Sequence, residues 1–340
     1  MPRKSNLVSL FLVFVFLSTG CATTKGPGPS AKPKEEIEDK APVINDEVIE
    51  SSVIANVDPL PEAAAAAVPT AVGEWDSAAK VCLVLGPGMA RGFAHAGVLE
   101  AVAESKLKIH CIVGTEMGAL VGAIYALNES TNTLQWQLFK LRKETYLDFP
   151  LFSINDRIAS GAKLHRFLQD NFGNKRTSDL KVPFTISATE AGSGNPILLR
   201  DEVLADALAV SLSLPGVFKA RELGVKGFLL SGSGSSPLPV KEAFDLGATH
   251  VIAVDLLSDA FTMPTSGGAA LEIAKQFAAA RNLSRLQRSE TPYFIAPDLR
   301  AYSFTDFDKR VEIVSVAKRA AQEALVQIQA QMRTPVEEKK

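Results

Sequence analysis

The chain has 340 residues, of which 46% are hydrophobic and 22% charged, with a formal net charge of −2. That balance offers no basic excess for phosphate contacts and argues against nucleic-acid binding. Three cysteines, Cys21, Cys82 and Cys111, are too few for a disulfide scaffold. Taken in chain order, Arg3 and Lys4 precede an apolar run from Leu7 to Leu17, and the small residues Ser18, Thr19 and Gly20 follow. A basic start, a short apolar core and a small-residue cleavage site predict a secretory signal peptide over 1–20. The run is about half the roughly 20 residues that a spanning helix needs. Residues 21–79 read as a solvated tether: Lys25–Lys40 is rich in Gly, Pro, Lys and Glu, and a run of alanines lies between Glu62 and Pro69. Such a segment buries too little apolar surface to offset the entropy of ordering.

The rest, 80–335, alternates strand-like and helix-like pieces and predicts one α/β domain. Val81–Leu85 is a continuous apolar run and Ile109–Val113 reads as another buried strand, each followed by a Gly-containing turn and a helical pattern, Gly92–Ser105 and Met117–Leu127. Further strands are expected at Phe184–Ala188, Phe228–Leu230, Val251–Val254 and Tyr293–Ala296, with helices at Ile273–Leu286 and Val311–Met332. This alternation predicts a mostly parallel sheet covered by helices on both faces.

The placement of Cys21 directly after the small residues resembles a bacterial lipoprotein signal, although Ser18 stands where that pattern more often has Leu. The resemblance implies that Cys21 becomes an acylated N-terminus. It places the protein in a bacterial cell envelope, lipid-anchored to the outer membrane on its periplasmic side. Two or three acyl chains exceed the marginal binding of one. Loss of Arg3 and Lys4 with the leader leaves the mature chain more acidic, so electrostatic adhesion is not expected to hold it to lipid.

Four motifs follow in order: Gly86-Pro87-Gly88-Met89-Ala90-Arg91-Gly92, Gly114-Thr115-Glu116-Met117-Gly118, Ser211–Phe218, and Ser231-Gly232-Ser233-Gly234. Together with Leu180–Ala188 and Tyr302–Asp308 they resemble the patatin-like phospholipase family, specifically its bacterial single-domain members. The resemblance implies a three-layer fold and hydrolysis of lipid acyl esters by a Ser–Asp dyad. The family serine occupies a GxSxG strand-to-helix elbow, and here that position is Glu116. The family aspartate opens a DGG or DGA motif, and here that position is Ser231. The oxyanion loop corresponds to Gly86, Gly88, Arg91 and Gly92, with Pro87 and Met89 where glycines are usual.

These substitutions remove both the nucleophile and its base. A carboxylate attacking an ester would form an anhydride and expel an alkoxide, which is uphill. A helix N-terminus favours ionised Glu116, and its charge would repel a developing oxyanion by about 4 kcal/mol at an effective dielectric near 20. Pro87 has no N–H and would remove a donor if it pointed inward. The expected outcome is a patatin-like protein without ordinary catalysis, acting as a lipid-binding or scaffold protein. Two other readings stay open. Ser231 or Ser233 as nucleophile with Glu116 as base would make a swapped dyad, for which the competing account is a hydrogen bond that satisfies a partly buried carboxylate. A retained acyl-chain cleft with an anionic mouth would suit a lipid with a cationic headgroup.

The remaining candidates have plainer accounts. His95 is expected to be packed and hydrogen-bonded. The histidines at 95, 110, 165 and 250 have no metal-ligand spacing, so no metal is expected. No cofactor is expected either, because the glycines at 86, 88 and 92 do not fit a dinucleotide fingerprint. Arg91 would orient an anionic headgroup or form a structural ion pair. Cys82 and Cys111 fall on neighbouring strands and are expected to be buried thiols, since a bridge between adjacent parallel strands strains the usual geometry.

Overall fold

The protein was analysed as a computed structural model, which describes residues 74–149, 158–259, 261–264 and 268–333. The leader, Cys21 and the tether up to residue 73 lie outside the described residues. Trp75, within the expected tether, donates from Nε1 to the Ser105 carbonyl at 2.8 Å and packs against the core.

The chain runs β1 (Val81–Leu85), a 3-10 turn at Met89–Phe93, α1 (Ala94–Glu104), β2 (Ile109–Thr115) and α2 (Met117–Asn128). It continues through α3 (Thr131–Lys140), α4 (Lys143–Tyr146), α5 (Ala162–Phe172), β3 (Phe184–Glu190), β4 (Pro196–Leu199) and α6 (Leu204–Ser211). Then follow β5 (Arg221–Glu222), β6 (Phe228–Ser231), α7 (Val240–Asp245), β7 (His250–Val254), α8 (Ala269–Arg288), β8 (Tyr293–Ile295) and α9 (Arg310–Arg333).

The strands form one sheet in the order β5-β6-β3-β2-β1-β7-β8, with β4 also paired to β3. The run β3-β2-β1-β7-β8 is parallel throughout. This is the expected α/β sheet, with one addition: β4 and β6 pair antiparallel to β3, and β5 antiparallel to β6. Strand β1 is apolar and buried throughout, and β2 is buried from Cys111 onward, because both faces of the sheet are covered. Val81, Leu83 and Leu85 join the larger core with α1 and α2, while Cys82, Val84, Cys111 and Val113 join a smaller one closed by Leu238, Val240 and Ala243 at α7. Alternation of side chains along a strand separates the two sets. Helix α9 lies along α1. A Cβ on Gly97 would stand 2.1 Å from the Val314 carbonyl, so glycine permits that approach, and Lys318 bridges Glu100 and Glu104 across the pair.

One expectation is corrected. Cys82 and Cys111 form a disulfide and are not free thiols. A register irregularity between Val81 and Cys82 brings Cys82 directly opposite Cys111. Their Cα atoms are 4.6 Å apart, within the span that a disulfide bridges.

Candidate functional site: an elbow that fills its own donor loop

Strand β2 ends at Thr115, α2 begins at Met117, and Glu116 makes the turn between them with φ 54° and ψ −120°. That backbone is unfavourable for a residue with a side chain and marks the sharp turn expected there. Two contacts hold it. The Glu116 N–H donates to Ser211 Oγ at 2.9 Å, and Ser211 donates onward to the Ser187 carbonyl at 3.2 Å. Gly118 presses α2 against the end of β1, where an added Cβ would lie 2.2 Å from the Leu85 carbonyl oxygen.

The loop after β1 faces this turn. Glu116 Oε2 accepts hydrogen bonds from the Gly88 N–H at 2.8 Å and the Met89 N–H at 2.9 Å. Glu116 Oε1 accepts from the Tyr146 hydroxyl at the end of α4. Glu116 and Tyr146 are both fully buried. Two neighbouring N–H donors converging opposite an elbow are the arrangement that stabilises a developing oxyanion; here a carboxylate oxygen of the chain itself takes both. Pro87 is not one of the donors. Met89, at φ 44°, adopts a backbone conformation natural to glycine.

The electrostatics differ from the sequence expectation. Burial pushes the Glu116 carboxyl above its ordinary value, and the hydrogen bonds from Gly88, Tyr146 and the loop and helix N–H groups oppose this without cancelling it. The helix terminus was expected to favour the ionised form; desolvation of a fully buried group outweighs it. The Tyr146 hydroxyl is pushed well upward by its own burial and by the adjacent Glu116.

Ser231 closes β6. Its Oγ accepts from the Ser233 N–H at 3.3 Å, and its carbonyl accepts from Thr189 Oγ1 at 2.8 Å. Strand register sets the distance to the elbow: Thr115 pairs with Ser187 of β3, and Ala188 of β3 pairs with Ser231. Glu116 and Ser231 therefore lie on opposite sides of β3, and no hydrogen bond joins their side chains. Ser233 Oγ is buried without a partner. The carboxylate is satisfied by Gly88, Met89 and Tyr146 in place of either serine.

The other candidates take structural places. Arg91 points away from Glu116: its Nε donates to the Tyr302 carbonyl at 2.9 Å, and its guanidinium lies 4.5 Å from the Phe304 ring centroid. Burial lowers its pKa to about 10, with Asp259 and Asp306 opposing. With the Ala90 N–H bonded to the Phe304 carbonyl at 3.1 Å, Arg91 ties the donor loop to 302–306. Gly86 is held by its own N–H on the Val254 carbonyl at 3.1 Å, and its carbonyl meets His95 Nε2 at 2.7 Å. His95 is thus packed as expected, and burial lowers its pKa to about 4. Gly92 leaves room for the Met117 side chain. Tyr146 was missed by sequence reasoning, because it stands 30 residues from Glu116 on a four-residue helix with no local signature.

A strained strand-to-helix elbow stands opposite paired backbone donors on a doubly covered sheet, and its turn residue is Glu116. Residues 83–244, just under half of the chain, match the patatin-like phospholipase family, and this region is a patatin-like domain. An uncharacterized NTE family protein of Mycobacterium tuberculosis is 33% identical over 182 residues, 53% of this chain and 50% of that protein. The neuropathy target esterase sws of Drosophila melanogaster is 28% identical over 206 residues, 58% of this chain and 14% of that protein. The chain therefore aligns with half or less of the length of these relatives. VipD from Legionella pneumophila aligns over 75% of this chain and 67% of its own, with 12% identity and a TM-score of 0.41.

Proposed function

We propose that this patatin-like protein is a non-hydrolytic scaffold of the bacterial cell envelope, attached to a membrane through an acylated Cys21. The observation that carries the loss of hydrolysis is the Glu116 carboxylate seated on the Gly88 and Met89 N–H groups. An ester oxygen would need those same donors, and the elbow residue that faces them is Glu116, not a serine. Loss of a nucleophile alone costs on the order of a millionfold in turnover. Envelope residence is supported by the leader and by the Cys82–Cys111 disulfide, which belongs in an oxidising compartment. A lipid or acyl-chain ligand at the elbow would have to part the buried Glu116–Tyr146 contact, so the scaffold reading is preferred over lipid binding there.

The test is hydrolysis of a short-chain nitrophenyl ester and of phosphatidylcholine. Wild type is expected to match the buffer rate. Glu116→Ser with Ser231→Asp, which frees both N–H donors and restores the dyad, is expected to turn over the ester. Wild-type turnover abolished by Ser231→Ala would overturn the reading and support the swapped pair.

A further inference from the structure

Away from the elbow, α3 carries an aromatic ledge. Trp136 and Phe139 are 64% and 62% exposed, while Leu134 and Leu138 of the same helix are buried. The ledge is firmly held. At its start Ser130 caps the Thr133 N–H. At its end Arg310 donates to the Leu138 and Phe139 carbonyls, with its guanidinium 5.3 Å from the Phe139 ring centroid. Val311, 71% exposed, extends the apolar surface across a groove of about 180 Å³ lined by Phe93, Leu138, Phe139 and Val314.

Cations surround these rings. Lys140 Nζ lies 5.4 Å from the Trp136 ring centroid, and exposed Arg142 and Lys143 share a rim with Phe139 and Arg310. The acids on that rim are Glu144, Asp308 and Asp306, the last engaged by Ser303 and Lys309. The patch is therefore locally cationic in a chain whose net charge is −2. Exposed Trp and Phe interleaved with Lys and Arg match the headgroup region of a bilayer: rings settle at the boundary with the acyl chains while long cationic side chains reach lipid phosphates.

We propose that the α3–α4 ledge, formed by Trp136, Phe139, Lys140, Arg142, Lys143 and Val311, docks on a bilayer surface containing anionic lipid. The docking needs neither ester hydrolysis nor the Cys21 anchor. An anchor would add to it by raising the local concentration of membrane. Because α4 ends at Tyr146, the ledge belongs to the segment that closes the elbow over Glu116.

The chain has two tryptophans, so the full chain carrying Trp75→Phe makes Trp136 the only reporter. It is mixed with phosphatidylcholine vesicles, with and without phosphatidylglycerol, whose acyl chains are brominated in a parallel set. With phosphatidylglycerol, Trp136 emission is expected to shift to the blue and to be quenched by bromine. Lys140→Gln with Lys143→Gln is expected to weaken this by roughly twenty-five-fold, about fivefold per charge near an anionic surface. Both substitutions are at exposed sites, and circular dichroism checks that the fold is kept. Quenching reports lipid contact at Trp136 itself, whether or not an anchor holds the chain, and is independent of ester turnover. Emission unaffected by vesicles, equal quenching in both compositions, or a blue shift with protein concentration alone, which would assign the ledge to a second copy, overturns the proposal.

Discussion

The Tyr146 hydroxyl donates to Glu116 Oε1 inside the protein, while the other carboxylate oxygen takes the Gly88 and Met89 N–H groups. One side chain thus satisfies three buried donors from two segments. Glu116→Ala would strand all three, and an unsatisfied buried group costs about 1–3 kcal/mol. We expect a loss of about 3–5 kcal/mol in urea unfolding. Glu116→Gln keeps the shape and an acceptor oxygen for the loop, so about 1 kcal/mol is expected. Equal losses for the two variants would contradict this role.

The same burial sets a pH dependence. In the unfolded chain the Glu116 carboxyl titrates near its ordinary value of about 4.3, and in the folded protein it is pushed higher. Between the two values the folded state holds a proton that the unfolded state has lost, so the stabilising contribution is full below about pH 4.3 and falls as pH rises through the folded-state value. Wild-type stability, measured relative to Glu116→Gln, should decline with rising pH across that window. Parallel curves for the two proteins would refute it.

The Cys82–Cys111 bridge closes a loop of 29 residues. By the chain-entropy account, its removal lowers stability by about 3–4 kcal/mol. Cys82→Ala with Cys111→Ala should unfold at correspondingly lower urea, and wild type should match it after reduction. Titration of both cysteines as free thiols in unreduced, unfolded protein would exclude the bridge.

Gly118 sets how closely α2 can approach β1. A methyl group there would meet the Leu85 carbonyl at 2.2 Å and the Gly86 carbonyl at 2.7 Å. Both neighbours are backbone, so the clash is relieved only by shifting α2. Gly118→Ala should cost about 2 kcal/mol or more, in the range of core overpacking, and lower the Tm. An unchanged Tm would show that α2 has freedom the packing does not suggest. The comparison is Gly234→Ala, where a Cβ meets nothing within 4 Å.

Much of the scaffold was legible because its signals are local. The segments Val81–Leu85 and Ile109–Val113 read as buried strands, since strands covered on both faces are rich in apolar residues. The turn motifs marked the loop at Gly88 and the elbow at Glu116. Strand β6 was anticipated at Phe228–Leu230, but β4 and β5, with four and two residues, were too short to carry a period. The same limit hid α4 and with it Tyr146.

By itself, the amino-acid sequence determined that a glutamate stands in the turn after β2 and a serine at the end of β6. Where that carboxylate goes was decided by tertiary structure alone. Its partners come from the loop after β1 and from a helix 30 residues downstream, and its protonation is governed by burial, which no local pattern encodes. The cysteine pair shows the same division: both cysteines could be placed on adjacent strands from sequence, but the register shift at Val81/Cys82 brings them opposite one another.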